Sequence, residues 1–341
     1  MKKAFEKLIA LALVLTAVGA VLRIAPVWAP PGGVVWVVPS APTPSLAAAV
    51  AIAGPNDEIH VKSGWVEPLV GPLVIPQNGL WIIGAPPSLG PNPTIDLRGF
   101  PIVILGGNVF VWGLNIIDTV GGPNGIYLLP PSHDCIIWNN TITGLIPASV
   151  GISVQSFNNI IALNTMSFWG TCIELAGQPA NQNKVKANTL NPPYNAGIVV
   201  SGGAGINNVY WNNIMMPGPP DLLDGNPPAS PPSWFDDTTG GGPGYKKGNF
   251  EANWAIPPPY LVPPGTNGYF DNFPLIAPIS MIPGDTNLDG IANLVDLVIL
   301  AMNYGKVWCT LGWDPRADTN GNGQIDLADL VILATNYGKT L

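Results

Sequence analysis

Charge is scarce in this chain. Only 10% of its 341 residues are Asp, Glu, Lys or Arg, and Lys and Arg together number 13. A nucleic-acid-binding surface needs clustered cations, so that class of partner is excluded; the net charge of −8 and the pI near 4.6 point the same way. Cysteine is nearly absent as well. Cys135, Cys172 and Cys309 are an odd number with no metal-ligand spacing between them, which excludes a disulfide framework and leaves them as small buried apolar residues. Long apolar runs are missing beyond the first few dozen residues, so no membrane span is expected in the mature protein.

The one long apolar run is Leu8 to Leu22, 15 residues preceded by Lys2, Lys3 and Lys7 and followed by the small-residue site Val27–Ala29. This pattern predicts a signal peptide over residues 1–29, cleaved after Ala29. A membrane anchor needs about 20 apolar residues, more than are present. The mature protein is therefore expected to be secreted or associated with the cell surface. Its length and 47% hydrophobic content suit one large domain with a sizeable core and one small domain.

Gly (40) and Pro (39) together approach a quarter of the chain, which alone suggests disorder, but the Val, Ile and Trp residues between them argue for a packed fold. The asparagines show how it is organised. Asn140, Asn164, Asn188 and Asn212 lie 24 residues apart. Five positions before them stand Cys135, Asn159, Asn183 and Asn207; three before, Ile137, Ile161, Val185 and Val209; two after, Ile142, Met166, Leu190 and Ile214. Asn115 suggests an earlier coil. A period of this size marks a repeat in which each unit buries its face against its neighbours.

Strands of three to five residues, separated by Gly, Pro and Asn, cannot be helical repeats. They predict a mainly β fold, a right-handed parallel β-helix over residues 30–278, with Val, Ile and Leu stacked inward and each bend Asn bonded to the Asn one coil away. Residues 217–264 read as a Pro/Gly-rich insertion. Ser45–Gly54 reads as a short helix, with Ser45 as N-cap and Gly54 as stop, covering the open first coil. The opening "VVWVVPS" with "SLAAAVAIAGPNDEIHVKSGWV", the "NNTI"-like coils and the ending "GNFEANW" with "GYFDNFPLIAP" resemble pectin-lyase-like β-helix proteins of the NosD or CASH type. That resemblance, over about Gly33 to Pro278, implies the fold. Members of the family include polysaccharide lyases, sugar-binding modules and a copper-maturation factor, so it leaves activity open.

The residues themselves argue against catalysis. From Ile126 to Met216 the acids are Asp134 and Glu174 and the bases Lys184 and Lys186, too few for a lyase site with acidic calcium ligands and a cation beside a uronate. The adjacent carboxylates Asp236 and Asp237 stand in the Pro/Gly-rich stretch, where a solvated turn is the simpler reading. His60 and His133 are far apart and lack a Met or Cys cluster that would suit copper. Aromatic residues are better candidates for function. Trp138 and Tyr210 share one repeat phase, opposite Ile137 and Val209, and with Trp169 they are candidate glycan contacts; Trp234, Phe235, Trp254 and Tyr260 are further aromatics in the later segment. Cover by the insertion is the alternative fate for that face.

After a short linker, 279–283, the segment from Gly284 to Lys339 writes one pattern twice, 33 residues apart. Asp285, Asn287, Asp289, Asn293 and Asp296 occupy positions 1, 3, 5, 9 and 12 of a calcium loop, with Gly290 at the sharp turn and the carbonyl of Ile291 at position 7. Asp318, Asn320, Asn322, Gln324 (by its carbonyl), Asp326 and Asp329 repeat this around Gly323. Two Ca²⁺ sites are expected, each followed by a helix. With Asp at position 12 and a helix only after each loop, the pair resembles a type I dockerin over 284–341. This implies attachment to a cohesin-like or surface-layer partner. Leu294–Val295 and Leu327–Ala328 replace the usual hydroxyl pairs, and Ala301–Met302 and Ala334–Thr335 the usual basic residues, so the docking surface is unusually apolar. The expected whole is a non-enzymatic extracellular attachment protein, with a polysaccharide ligand for the β-helix. The alternative is a polysaccharide lyase or hydrolase carried by its dockerin.

Overall fold

The computed structural model describes residues 33–215, except 148, 178, 192–194, 203 and 206, together with 222–224, 250–251, 260–261, 270–271 and 280–341. The expected signal peptide, most of the 217–264 insertion and Trp234, Phe235, Asp236, Asp237 and Trp254 lie outside them. Two compact units result, one within Pro31–Ser280 with Trp308–Leu311, the other of Met281–Val307 and Gly312–Leu341.

The larger unit is a parallel β-solenoid. Among the described residues seven successive coils, from Glu58 to Asp224, each give one short strand to each of three sheets, and every pairing between coils is parallel. The first sheet has eight strands and includes Phe110–Trp112, Ile136–Trp138, Ile160–Ala162, Lys184–Lys186 and Asn208–Tyr210. The second, also of eight, includes Thr94–Asp96, Asn115–Ile117, Thr141–Thr143, Thr165–Ser167 and Thr189–Leu190. The third, of seven, includes Asn124–Leu128, Val150–Val154, Thr171–Ala176 and Ala196–Ser201.

Strands this short cannot stand alone, so coil-to-coil stacking supplies the core. Ile137, Ile161, Val185 and Val209 form one inward column, and Ile142, Met166, Leu190 and Ile214 another, all with no exposure. Full burial of each such side chain is worth about 1.5–3 kcal/mol. The bends between the first two sheets carry the expected ladder. The Nδ2 atoms of Asn140, Asn164 and Asn188 donate to Oδ1 of Asn164, Asn188 and Asn212 at 3.1, 3.1 and 2.9 Å. Asn159, Asn183 and Asn207 build a second ladder at the preceding bend, with steps of 2.9 Å. Its head is Cys135, whose N–H donates to Asn159 Oδ1.

Asn115 does mark an earlier coil, but not as a ladder member. Its register partner is Thr141, so the ladder position of that coil is Leu114, whose N–H donates to Asn140 Oδ1 at 3.0 Å. Asn115 instead begins a strand of the second sheet and donates to Thr94 Oγ1 at 3.0 Å.

Helix α1, Leu46–Ile52, closes the first coil. Ser45 caps it, accepting from Ala48 N at 3.0 Å, while the Glu67 carboxylate takes the N–H groups of Leu46 and Ala47. Leu46, Ala49 and Val50 face the core. The expected stop at Gly54 comes one residue early. Ala53 is the C-cap in extended backbone, and Gly54 N is taken by Asp57 Oδ2 at 2.8 Å.

In the smaller unit, α2 (Leu294–Asn303) and α3 (Leu327–Asn336) are apolar runs started by capping boxes, Asn293 with Asp296 and Asp326 with Asp329. The two halves exchange main-chain bonds crosswise. Ala292 N donates to Lys339 O and Gly338 N to Ala292 O, at 3.2 and 2.8 Å; in the other half Ile325 N donates to Lys306 O and Gly305 N to Ile325 O, at 2.9 and 2.8 Å. Each loop is thus held by the segment that leaves the opposite helix. Among the described residues no helix is long and apolar enough to cross a membrane.

Candidate functional site

The two Asp/Asn loops have the same internal geometry. Asp285 accepts from Asp289 N at 3.1 Å and Gly290 N at 2.9 Å; Asp318 accepts from Asn322 N at 3.0 Å and Gly323 N at 2.8 Å. Asn287 and Asn320 each accept from the N–H two residues on, at 2.8 Å. Asp289 does the same to Ile291 N at 2.9 Å and Asn322 to Gln324 N at 2.7 Å. Asp296 reaches back over the loop to Thr286 N at 2.7 Å and Asn287 N at 3.2 Å, and Asp329 to Asn320 N at 3.1 Å. Asn293 and Asp326 cap the helices, taking Val295 N and Ala328 N at 2.7 Å. The Asp and Asn side chains of each loop are thus held by main-chain N–H groups of that loop or of the helix it starts, and the Ile291 carbonyl accepts from Asn293 Nδ2 at 3.2 Å.

The loops also concentrate negative charge out of water. Asp285, Asp296, Asp318 and Asp329 keep 5%, 0%, 7% and 0% of their surface. Burial, then the charges of Asp296 and Asp289, push the Asp285 carboxyl up to about 7 despite its amide donors. Burial and the Asp329 charge push Asp318 up to about 6. Asp296 is raised too, by burial against its several hydrogen bonds. A buried group of like charges calls for a counter-charge, and a donor set made only of oxygens suits a hard cation. Among the described residues no three His, Cys, Asp or Glu side chains form a metal cluster by themselves. The remaining oxygens in these loops belong to amides, main-chain carbonyls and the hydroxyls of Thr286 and Thr319, which bond to Asp296 and Asp329.

The candidate glycan contacts fare differently. Trp169 is a core residue with no exposure, its indole N–H 3.3 Å from Ile142 O. Three glycines make room for it. A Cβ on Gly144, Gly125 or Gly151 would lie 2.5, 3.1 or 3.2 Å from its ring. Trp138 and Tyr210 do stand outside the interior core cluster, as their phase requires, but keep only 5% and 4% exposure. Trp81, Phe110 and Ile136 on the same sheet are equally closed, at 3%, 2% and 2%, with Trp81 and Phe110 packed edge to face at 5.0 Å. All three side chains are therefore closed to water: alternation tells which side of a strand a residue takes, not whether that side is exposed.

The carboxylates of the solenoid are mostly committed to main chain. Asp57 binds Val34 N, Gly54 N and the Trp36 indole at 2.7–2.8 Å. Asp118 takes the N–H groups of Gly99, Val120, Gly121 and Gly122. Burial pushes both upward, but their donors outweigh it and hold them below the ordinary 3.8. Glu58 and His60 form a fully buried pair at 2.8 Å. Cys135 and Cys172 are buried as expected, their thiols pushed up by burial, to about 12 for Cys135; Cys309 is half-buried.

No protein-family profile and no curated protein match the chain. Among solved structures, an alginate lyase from Paenibacillus sp. str. FPU-7 is similar over 59% of this chain and 97% of its own, with 14% identity and a TM-score of 0.34. A rhamnogalacturonan lyase is similar over 59% of this chain and 62% of its own, with 12% identity and a TM-score of 0.41.

Proposed function

We propose that this is a non-enzymatic attachment protein of the cell exterior, a parallel β-solenoid carried by a calcium-dependent, dockerin-like module at 284–341. The observation that carries this reading is the pair of like-built loops in which burial and a neighbouring carboxylate, Asp296 for Asp285 and Asp329 for Asp318, push a carboxyl upward even as it accepts main-chain N–H groups of the same loop. Asp285, Asn287, Asp289, Asn293, Asp296 and the Ile291 carbonyl would hold one Ca²⁺; Asp318, Asn320, Asn322, Asp326, Asp329 and the Gln324 carbonyl the other. The ion supplies charge neutralisation and a rigid centre in each loop. The protein's own part is to fix the donors through the capping boxes and the crosswise bonds. Leu294, Val295, Met302 and Leu327, each at least one-third exposed, offer the apolar surface that a cohesin-like or surface-layer partner would cover. An N-terminal signal peptide would deliver the protein outside the cell. The commitment of Asp57, Glu67 and Asp118 to main-chain N–H groups supports the non-enzymatic reading, since carboxylates so occupied are poor proton carriers.

The test is metal content and docking of the purified mature protein. Two calcium ions per chain and capture of a cohesin-type partner only in calcium are expected. A preparation that neither contains nor takes up calcium would end this reading.

A further inference from the structure

Register places Thr94, Asn115, Thr141, Thr165, Thr189 and Asn213 in one row across the outward face of the second sheet, one residue per coil. Two residues further along each strand runs a second row, Asp96, Ile117, Thr143 and Ser167. The inward residues between the rows, Ile95, Ile116, Ile142 and Met166, have no exposure, so the core accounts for them and not for the outward rows. Strand geometry sets the grid at about 4.8 Å between coils and about 6.6 Å between rows. Among the described residues the hydroxyls of Thr141, Thr165 and Thr189 have no hydrogen-bond partner. Thr141 and Thr189 are partly exposed and Thr165 exposed.

Threonine favours outward strand positions in any sheet. That preference does not explain what lies beside the rows. A groove of about 530 Å³ runs along the end of the second, lined by Ile117, Asp118, Thr119, Thr143, Leu145 and Phe168. Phe168 and Leu145 are 51% and 50% exposed, and Phe168 sits at φ +60, a conformation that bulky residues rarely adopt. An exposed aromatic ring held beside a fixed set of hydroxyls is the usual composition of a ligand site, apolar surface with a few convergent polar groups.

Charge narrows the ligand. Asp118 is already engaged by four main-chain N–H groups, and Asp96 by Thr119 Oγ1 at 2.8 Å. No Lys or Arg lines the groove, and Arg98, 3.7 Å from Asp96, is paired with it. A uronate or sulfated sugar would meet carboxylates and no free cation, whereas a neutral sugar needs only hydroxyl partners and an apolar ring face.

We propose that this face and groove bind a neutral polysaccharide chain, with Phe168 and Leu145 against the sugar rings and Thr141, Thr143 and Thr165 hydrogen-bonding its hydroxyls. Threonine is stiff at χ1 and the rows are fixed by the coils, so little side-chain freedom is lost on binding. The inference deepens the attachment reading by naming a face and a ligand class, but its chemistry does not depend on calcium.

The test is retention of the full mature chain on insoluble cellulose, chitin, xylan and β-1,3-glucan, with alginate and polygalacturonate gels as the acidic comparison. We expect retention on at least one neutral polymer, unchanged by EDTA. Binding should be at least about tenfold weaker in Thr141→Val/Thr165→Val and in Phe168→Gly, with melting of the double valine variant unchanged. Glycine accepts the φ of residue 168, and if that variant fails to fold the valine pair still decides. No retention on any neutral polymer, equal retention on the acidic gels, wild-type binding by the valine pair, or loss of binding in EDTA would each overturn the proposal. A missing calcium site would sink the docking reading and leave this result standing.

Discussion

Asn164 donates both its main-chain N–H and its Nδ2 to one atom, Oδ1 of Asn188, at 3.0 and 3.1 Å, across one full coil of the solenoid. Asn188 in turn donates to Asn212 Oδ1 at 2.9 Å and to the carbonyls of Ile161 and Lys186 at 2.9 and 3.1 Å. Its side chain therefore satisfies groups on three coils at a site closed to water. Asn188→Ala should leave several of them unpaired and cost on the order of 1–3 kcal/mol, read as a lower midpoint in urea. An unchanged midpoint would mean that the ladder is incidental to stability.

Trp169 fills the solenoid interior against three glycines. Truncation to Ala should open a cavity and cost about 3–5 kcal/mol. Gly144→Ala should also destabilise, because the new methyl would lie 2.5 Å from the indole and 2.9 Å from the Phe168 carbonyl. Trp169→Leu in the same chain should relieve only the first contact, so the double variant should recover part of the loss. Additive losses in thermal melts would show that the two sites do not share a contact.

Asp57 and Asp118 give the solenoid a particular acid sensitivity. Their carboxyls are held below the ordinary 3.8, so their contribution is fully present above that pH and is lost as the pH falls towards their lower folded values. The solenoid transition should drop below about pH 4, and Asp118→Asn should be less stable at pH 7 yet show a shallower acid slope. Parallel slopes for the wild type and the variant would remove Asp118 from the account.

Calcium should decide the state of the C-terminal module. Its 58 residues, Gly284 to Leu341, are few for a generous core, so metal binding should supply much of its folding free energy. EDTA should abolish its calorimetric transition and leave that of the solenoid, and Asp285→Ala with Asp318→Ala should do the same without a chelator. A module transition indifferent to EDTA would contradict this.

The crosswise bonds predict coupling between the loops. Ala292 of the first loop is held by Gly338 and Lys339, which follow the second loop's helix. Asp318→Ala, though it removes a proposed ligand from the second loop only, should weaken calcium binding at the first as well, and titration calorimetry should show this. Unchanged affinity at the first loop would show that the two halves act independently.

Much of this was legible in the chain itself. Side-chain alternation and the 24-residue recurrence specify inward columns such as Ile137, Ile161, Val185 and Val209, because a solenoid repeats the same local environment at each coil. The Asp/Asn spacing specifies two loops with the same internal hydrogen bonds, each leading into a capped helix, because a tight loop of a dozen residues leaves its side chains few main-chain partners. Local caps were legible for the same reason, as with Ser45.

The tertiary structure decided what depends on neighbours distant in sequence. Nothing in the local pattern of Trp138 and Tyr210 reveals that their sheet face is closed, and nothing near Trp169 reveals that Gly125, Gly144 and Gly151 clear a space for it inside the solenoid. Asn115 marks an earlier coil, as its sequence context implies, but that coil differs in length from the 24-residue repeat, so only the register shows that Leu114, not Asn115, stands at the ladder position. The threonine rows and the groove at Phe168 were invisible for the complementary reason. They consist of residues contributed singly by successive coils, and only the stacking of those coils turns isolated outward side chains into a surface.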